Sequence, residues 1–145
     1  MKKILTLVCC TILLAATSCT KKYITPANRT IFFTVKGGTN PGGWVLTNNG
    51  GSPAYQTTLG GNNGDLPELD SFTQHNGAVL VYISYDKNGD TYEAIPENFG
   101  GASFSFIHST NTITITSQSS GGSAAVLPTQ DMYVKVVLID SEPQD

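Results

Sequence analysis

The stretch Ser103-Phe104-Ser105-Phe106-Ile107-His108, followed by Ser109-Thr110-Asn111 and then Thr112-Ile113-Thr114-Ile115-Thr116-Ser117, reads as two strands folded about a turn. Its apolar period is two, not 3.6, which is the spacing that puts alternate side chains on opposite faces of a pleated strand. Ile113 and Ile115 are expected to point into a core and Thr112, Thr114 and Thr116 out of it. Phe104, Phe106 and His108 share one parity on the partner strand.

The same period extends in both directions. Upstream, Ala78-Val79-Leu80-Val81-Tyr82-Ile83-Ser84-Tyr85 is apolar on both faces and is expected at the centre of a sheet. Asp86-Lys87-Asn88-Gly89-Asp90 then turns the chain into a strand over 91–95, because Asn-Gly between two strands is a strong hairpin signal. Downstream, after a Gly/Ser loop at 119–123, residues 132–139 form a closing strand interrupted only by Lys135. Nearer the N-terminus, Ile31, Phe33 and Val35 share one face of a strand over 30–36. The loop Gly37-Gly38-Thr39-Asn40-Pro41-Gly42-Gly43 leads to a strand that starts at Trp44, and residues 54–59 alternate again. One segment departs from the pattern. Leu66, Leu69 and Phe72 recur every three residues, predicting a helical turn that staples a crossover to the core, with Pro67 in its first turn. Seven or eight short strands, about 8 to 14 residues apart, imply an antiparallel β-sandwich over 30–140 with a flexible tail at 141–145. A mixed α/β fold lacks the helices it needs.

Composition limits the function classes. The 145 residues, 39% hydrophobic and 13% charged, make one domain with a core, too short for a multidomain enzyme. A formal net charge of -3 argues against nucleic acid as a partner. Three cysteines, two of them adjacent at Cys9 and Cys10, do not make a disulfide scaffold.

The first residues read as an address. Lys2 and Lys3 precede an uncharged, mostly apolar run at 4–16, shorter than the roughly 20 residues a membrane-crossing helix needs. That is the layout of a secretory signal peptide, here 1–18. Leu14-Ala15-Ala16-Thr17-Ser18-Cys19 resembles a bacterial lipobox, with Ala16 where Leu is usual. The expectation is cleavage before Cys19, a diacylglyceryl group on its thiol with palmitate among the lipid chains, and attachment of the chain to a membrane through that lipid. The alternative is an ordinary secreted protein with an incidental cysteine. Once the leader is removed, six basic residues face eleven acids, and the chain carries about -5. Residues 19–29 then read as the lipidated cysteine and a solvated tether. Thr20 in place of Asp favours the outer membrane, by analogy with known sorting rules.

The order of segments resembles small lipoproteins of the Bacteroidota type, which have a single β-sandwich domain. The resemblance rests on the lipobox, Trp44-Val45-Leu46, Asn76-Gly77-Ala78-Val79-Leu80-Val81-Tyr82, Tyr92-Glu93-Ala94-Ile95-Pro96 and Tyr133-Val134-Lys135-Val136-Val137-Leu138-Ile139. It spans about residues 30 to 140 and lacks the collagen-like stretch that many relatives carry after the cysteine. It implies a sandwich and a cell-envelope location. It brings no activity and no functional residues.

Candidate chemistry is sparse. There is no Gly-x-Ser-x-Gly elbow, and His75 and His108 are the only imidazoles. His108 reads as a strand-end residue and His75 as a turn residue. The acids Asp65, Glu68 and Asp70, and the pair Glu93 and Glu97, read as surface charge rather than a glycosidase dyad. No cofactor is implied. Asp86, Asn88 and Asp90 alternate oxygen ligands, which makes them weak calcium candidates, but Thr91 stands where an EF-hand loop needs glycine. Among the aromatic residues, Trp44 beside its Gly-rich loop, with Tyr55 and Tyr92, forms the candidate platform for a glycan or other ligand. Two expectations follow. The first is a non-catalytic, lipid-anchored envelope protein that contacts another envelope protein or serves as an accessory subunit. The alternative is a small carbohydrate- or ligand-binding module.

Overall fold

The structure is a computed structural model, and it describes residues 28–48, 52–61 and 66–141. The signal peptide, Cys19 and the tether up to residue 27 lie outside the described residues, as does the tail beyond Ser141.

Among the described residues, nine strands make two antiparallel sheets. They are β1 (Arg29–Val35), β2 (Val45–Thr47), β3 (Ala54–Gly60), β4 (Ala78–Ser84), β5 (Glu93–Ile95), β6 (Glu97–Phe99), β7 (Ala102–Ser109), β8 (Thr112–Ser119) and β9 (Met132–Ile139). One sheet runs β1-β9-β4-β5 and the other β2-β3-β8-β7-β6, and together they form an all-β sandwich. β4, the strand expected to be central, has a neighbour on both sides, and so does the closing strand β9. Met132, Val134, Val136 and Leu138 of β9 are fully buried and meet Ile113 and Ile115 of β8 in one core. Each such side chain contributes roughly 1.5–3 kcal/mol by leaving water. The threonines of β8 face outward as the alternation requires.

Lys135 shows how a charge is accommodated in β9. It lies on the outer face, and its ammonium sits 4.6 Å from the ring centre of Tyr82 and 4.3 Å from that of Tyr92. Two aromatic faces attract the cation while its stem covers apolar sheet.

Three local expectations need correction. The short turn expected at 86–90 is a longer loop, because the last β4–β5 pair is Ile83 with Glu93. Asp86 builds the longer loop: its carboxylate oxygens accept the N–H groups of Asn88 (2.9 Å) and Asp90 (3.1 Å), as aspartate turns do. The strand expected over 91–95 is shorter, and a further strand, β6, follows it. Pro96 separates them, since it has no N–H to give to a ladder, and the chain passes there from one sheet to the other.

The crossover is also divided in two. Leu66 and Leu69 close a single turn (Leu69 N–H to Leu66 O, 3.1 Å) and are fully buried. The helix α1 (Ser71–Asn76) starts only after Asp70, whose carboxylate accepts the Thr73 N–H at 2.8 Å. That hydrogen bond holds the Asp70 carboxyl below the usual carboxylate range. The new start rotates Phe72 off the leucine face, leaving it 48% exposed.

α1 closes one end of the sandwich. Arg29, at the start of β1, donates to both carboxylate oxygens of Asp140 and to Thr73 Oγ1, all at 2.8 Å, and Thr73 donates to Asp140 at 2.7 Å. This cluster ties β1, α1 and the residue after β9 together.

Candidate functional site

The structure does not bring the aromatic candidates together. Trp44 is only 1% exposed and packs against Phe104, ring centres 6.3 Å apart and tilted by 59°. Its expected place on a ligand platform is therefore wrong. The reason lies in the loop before it. Trp44 N–H bonds Gly38 O (2.9 Å), Gly43 N–H bonds Asn40 O (2.8 Å) and Lys36 N–H bonds Gly42 O (3.2 Å), folding the glycine-rich segment back so the indole enters the core. β2 begins one residue later, and its Val45 and Leu46 are the exposed side chains. Tyr55 packs half-buried against the core, and Tyr92 lies over Lys135 on the outer face of the other sheet. A shared surface for these three rings does not exist.

Asp86, the first of the calcium candidates, is engaged otherwise. Both Asp86 carboxylate oxygens accept backbone N–H groups of their own loop, which compete with a metal for the same lone pairs. Among the described residues, no three His, Cys, Asp or Glu side chains group as metal ligands. Millimolar calcium is expected to leave the melting temperature unchanged; a rise of several degrees would restore these residues as a site.

The histidines are also occupied. His75 Nδ1 lies 2.7 Å from the carbonyl oxygen of Ser71 in its own helix. His108 stacks on Phe106 and meets Gln74 Oε1 at 2.7 Å, so it fastens α1 to β7. Asp70 caps α1.

The feature most suited to a ligand was not among the expected residues. At the end of the sandwich opposite α1, Tyr85 and Phe99 stack with ring centres 5.7 Å apart and planes 17° from parallel. They wall a cleft of about 370 Å³ whose other sides are Phe104, Val126, Leu127 and Pro128, with Thr129 and Gln130 at its polar edge. Clefts of a few hundred Å³ with apolar walls and few polar groups are the usual form of small-molecule sites. The same pair borders a second hollow of about 190 Å³, lined by Ser84, Asp86, Thr91 and Glu93. Burial raises the Tyr85 pKa, so its phenol stays neutral and keeps a proton to donate.

Each wall has a local cause. Tyr85 is the first residue past β4, so it leaves the ladder and turns over the sheet end. Phe99 is 40% exposed at the last position of β6, before Gly100 and Gly101, whose positive φ angles of 58° and 82° allow the tight return into β7. The segment 126–130 is pinned although it is not a strand. Ser117 Oγ donates to Val126 O (2.7 Å) and Gly38 N–H to Pro128 O (2.8 Å). Asp131 anchors the far side through Lys36 Nζ (2.8 Å) and Gly37 N–H (3.0 Å), which hold its carboxyl below the ordinary range. The apolar run Ala124-Ala125-Val126-Leu127-Pro128, too apolar for a free loop, was the signal available in the sequence.

Comparison of the chain with protein-family models, with curated proteins and with solved structures found no match.

Proposed function

We propose that the protein is a non-catalytic binding protein of the cell envelope, anchored by lipid on Cys19 and presenting the Tyr85–Phe99 cleft to a small ligand. The observation that carries this reading is the cleft: a pinned, aromatic-walled hollow whose polar groups are a neutral phenol, a threonine, an amide and backbone. Those groups suit recognition better than proton transfer or nucleophilic attack. The layout of the chain supports the anchor. β1 begins beside α1, and the cleft lies at the other end of strands seven or eight residues long, about 25 Å away. A lipid ten residues before Arg29 would join the chain at the end of the sandwich away from the cleft. No helix among the described residues is long and apolar enough to cross a membrane. The lipobox, the resemblance to small Bacteroidota-type lipoproteins and Thr20 favour the outer membrane.

A second reading, contact with an envelope protein, is favoured by the outer face of the first sheet. There Phe32, 64% exposed, and Leu80 stand among half-buried Val137 and Ile139. Exposed apolar faces of this kind mark interaction surfaces.

Fractionation tests the anchor: Cys19→Ala is expected to move the protein from the membrane to the soluble fraction. Retention in the membrane would overturn the lipoprotein reading. Trp44 reports on the cleft, since it packs on Phe104, which lines it. Titration with glycans, peptidoglycan fragments and small aromatic compounds is expected to give a saturable change in emission with one class, lost in Phe99→Ala. A flat response to every class would remove the cleft as a binding site and leave the protein-contact reading.

A further inference from the structure

We propose that the cleft is selective for small cationic amphiphiles: an apolar, preferably aromatic body carrying a primary ammonium group. The inference rests on the cleft being the binding site, and it names the ligand chemistry that two neighbouring hollows sharing the Tyr85–Phe99 pair fit. The larger hollow offers Phe104, Val126, Leu127 and Pro128 to an apolar body. The smaller one, which shares the Tyr85–Phe99 pair, has Asp86 and Glu93 in its lining.

Glu93 is the acceptor. It pairs across the sheet with Ile83, a core residue, so its side chain shares the inward parity and lines the smaller hollow. An inward-facing carboxylate at a sheet edge favours a cationic partner. Among the described residues, the two ion pairs are Arg29–Asp140 and Lys36–Asp131, and the ammonium of Lys135 is held by Tyr82 and Tyr92. None of these cations pairs with Glu93, and neither does Lys87 of the Asp86 loop. Asp86 adds negative charge to the same hollow, while its oxygens remain bonded to the loop N–H groups. The aromatic pair contributes a second attraction, because ring faces bordering the hollow favour a cation over an anion. An inward carboxylate also discourages an edge strand from pairing with another chain, and Glu97 on β6 shares that parity without lining either hollow. Glu93 is distinguished by the hollow it lines and the ring pair beside it.

The test uses the full-length chain carrying Cys19→Ala, which removes the acylation site and avoids detergent. Three probes of similar shape are titrated by Trp44 emission and calorimetry: 2-phenylethylamine, 2-phenylethanol and 3-phenylpropanoate. The amine is expected to bind about tenfold more tightly than the alcohol, with the acid weakest. Glu93→Gln should bring the amine to the level of the alcohol without changing alcohol binding, and Phe99→Ala should weaken both. Melting curves confirm that each variant is folded; if Glu93→Gln does not fold, Glu93→Asp replaces it and should weaken only the amine. Equal binding of amine and alcohol, or an amine affinity unchanged in folded Glu93→Gln, would overturn the cationic selectivity and leave the cleft as a ligand site. No binding of any probe would overturn the selectivity for this ligand class, and a flat response to the wider panel as well would remove the cleft itself.

Discussion

Replacing Trp44 with alanine is expected to cost about 3–5 kcal/mol of stability, the range for removing a fully buried large aromatic residue. A domain of this size has only about 5–15 kcal/mol in total, so the variant should be close to unfolded at growth temperature. The indole fills the space between the loop 37–43 and Phe104. Trp44→Phe should behave differently. The indole N–H is buried with no partner, an arrangement that costs about 1–3 kcal/mol. Phenylalanine gives up packing area and removes that cost, so the expected net loss is about 1 kcal/mol. Urea denaturation followed by far-ultraviolet circular dichroism would compare the two, since both variants lose the fluorophore. Equal losses would mean that the phenyl ring recovers none of the packing the indole provides.

Gly60→Ala is expected to cost about 3 kcal/mol or more, against about 1 kcal/mol for Gly61→Ala next to it. Both residues have positive φ, 82° and 61°. Only at Gly60 would a Cβ lie inside the carbonyl oxygen of Asn111 and against Leu66 Cβ. That carbonyl cannot retreat easily. Asn111 itself has a φ of 63° in the β7–β8 turn, and its N–H is bonded to Leu69 O at 2.8 Å. At Gly61 the nearest atom would be the methyl of Thr112 at 3.3 Å, which a small side-chain shift relieves. Thermal melts of the two variants would show the difference. A similar fall in both would mean that backbone conformation, not the close approach, dominates.

Much of the fold was legible because its strongest strands obey one simple period. Ile113 and Ile115 can face only one way on a strand, and the two-sided apolar runs of β4 and β9 require neighbours on both edges. The parts that misled were those in which a hydrogen bond overrides a pattern. Asp70 restarts the helix, so Phe72 leaves the stripe its spacing had assigned it to. Asp86 enlarges a turn that Asn88-Gly89 alone would have kept tight. Pro96 sends a strand to the second sheet, a step that no periodicity records. Trp44 shows the difficulty at the site: a glycine-rich neighbour suggested exposure, yet the glycines are what let the backbone fold under and bury the ring. The cleft was hidden for a related reason. Tyr85, Phe99 and Val126 come from three separate segments, and only the sheet ends bring them together.

The ends of the sandwich also bear on mechanics. If lipid holds the chain below Arg29 while the cleft grips a ligand, tension runs along the strands rather than across them. β1 and β9 are joined by seven residue pairs from Arg29–Leu138 to Val35–Met132. Under a lengthwise pull those hydrogen bonds share the load in shear, and they must fail together instead of opening one after another like a zipper. The Arg29–Asp140–Thr73 cluster sits where that load enters, so the joint nearest the tether is also the most heavily cross-braced.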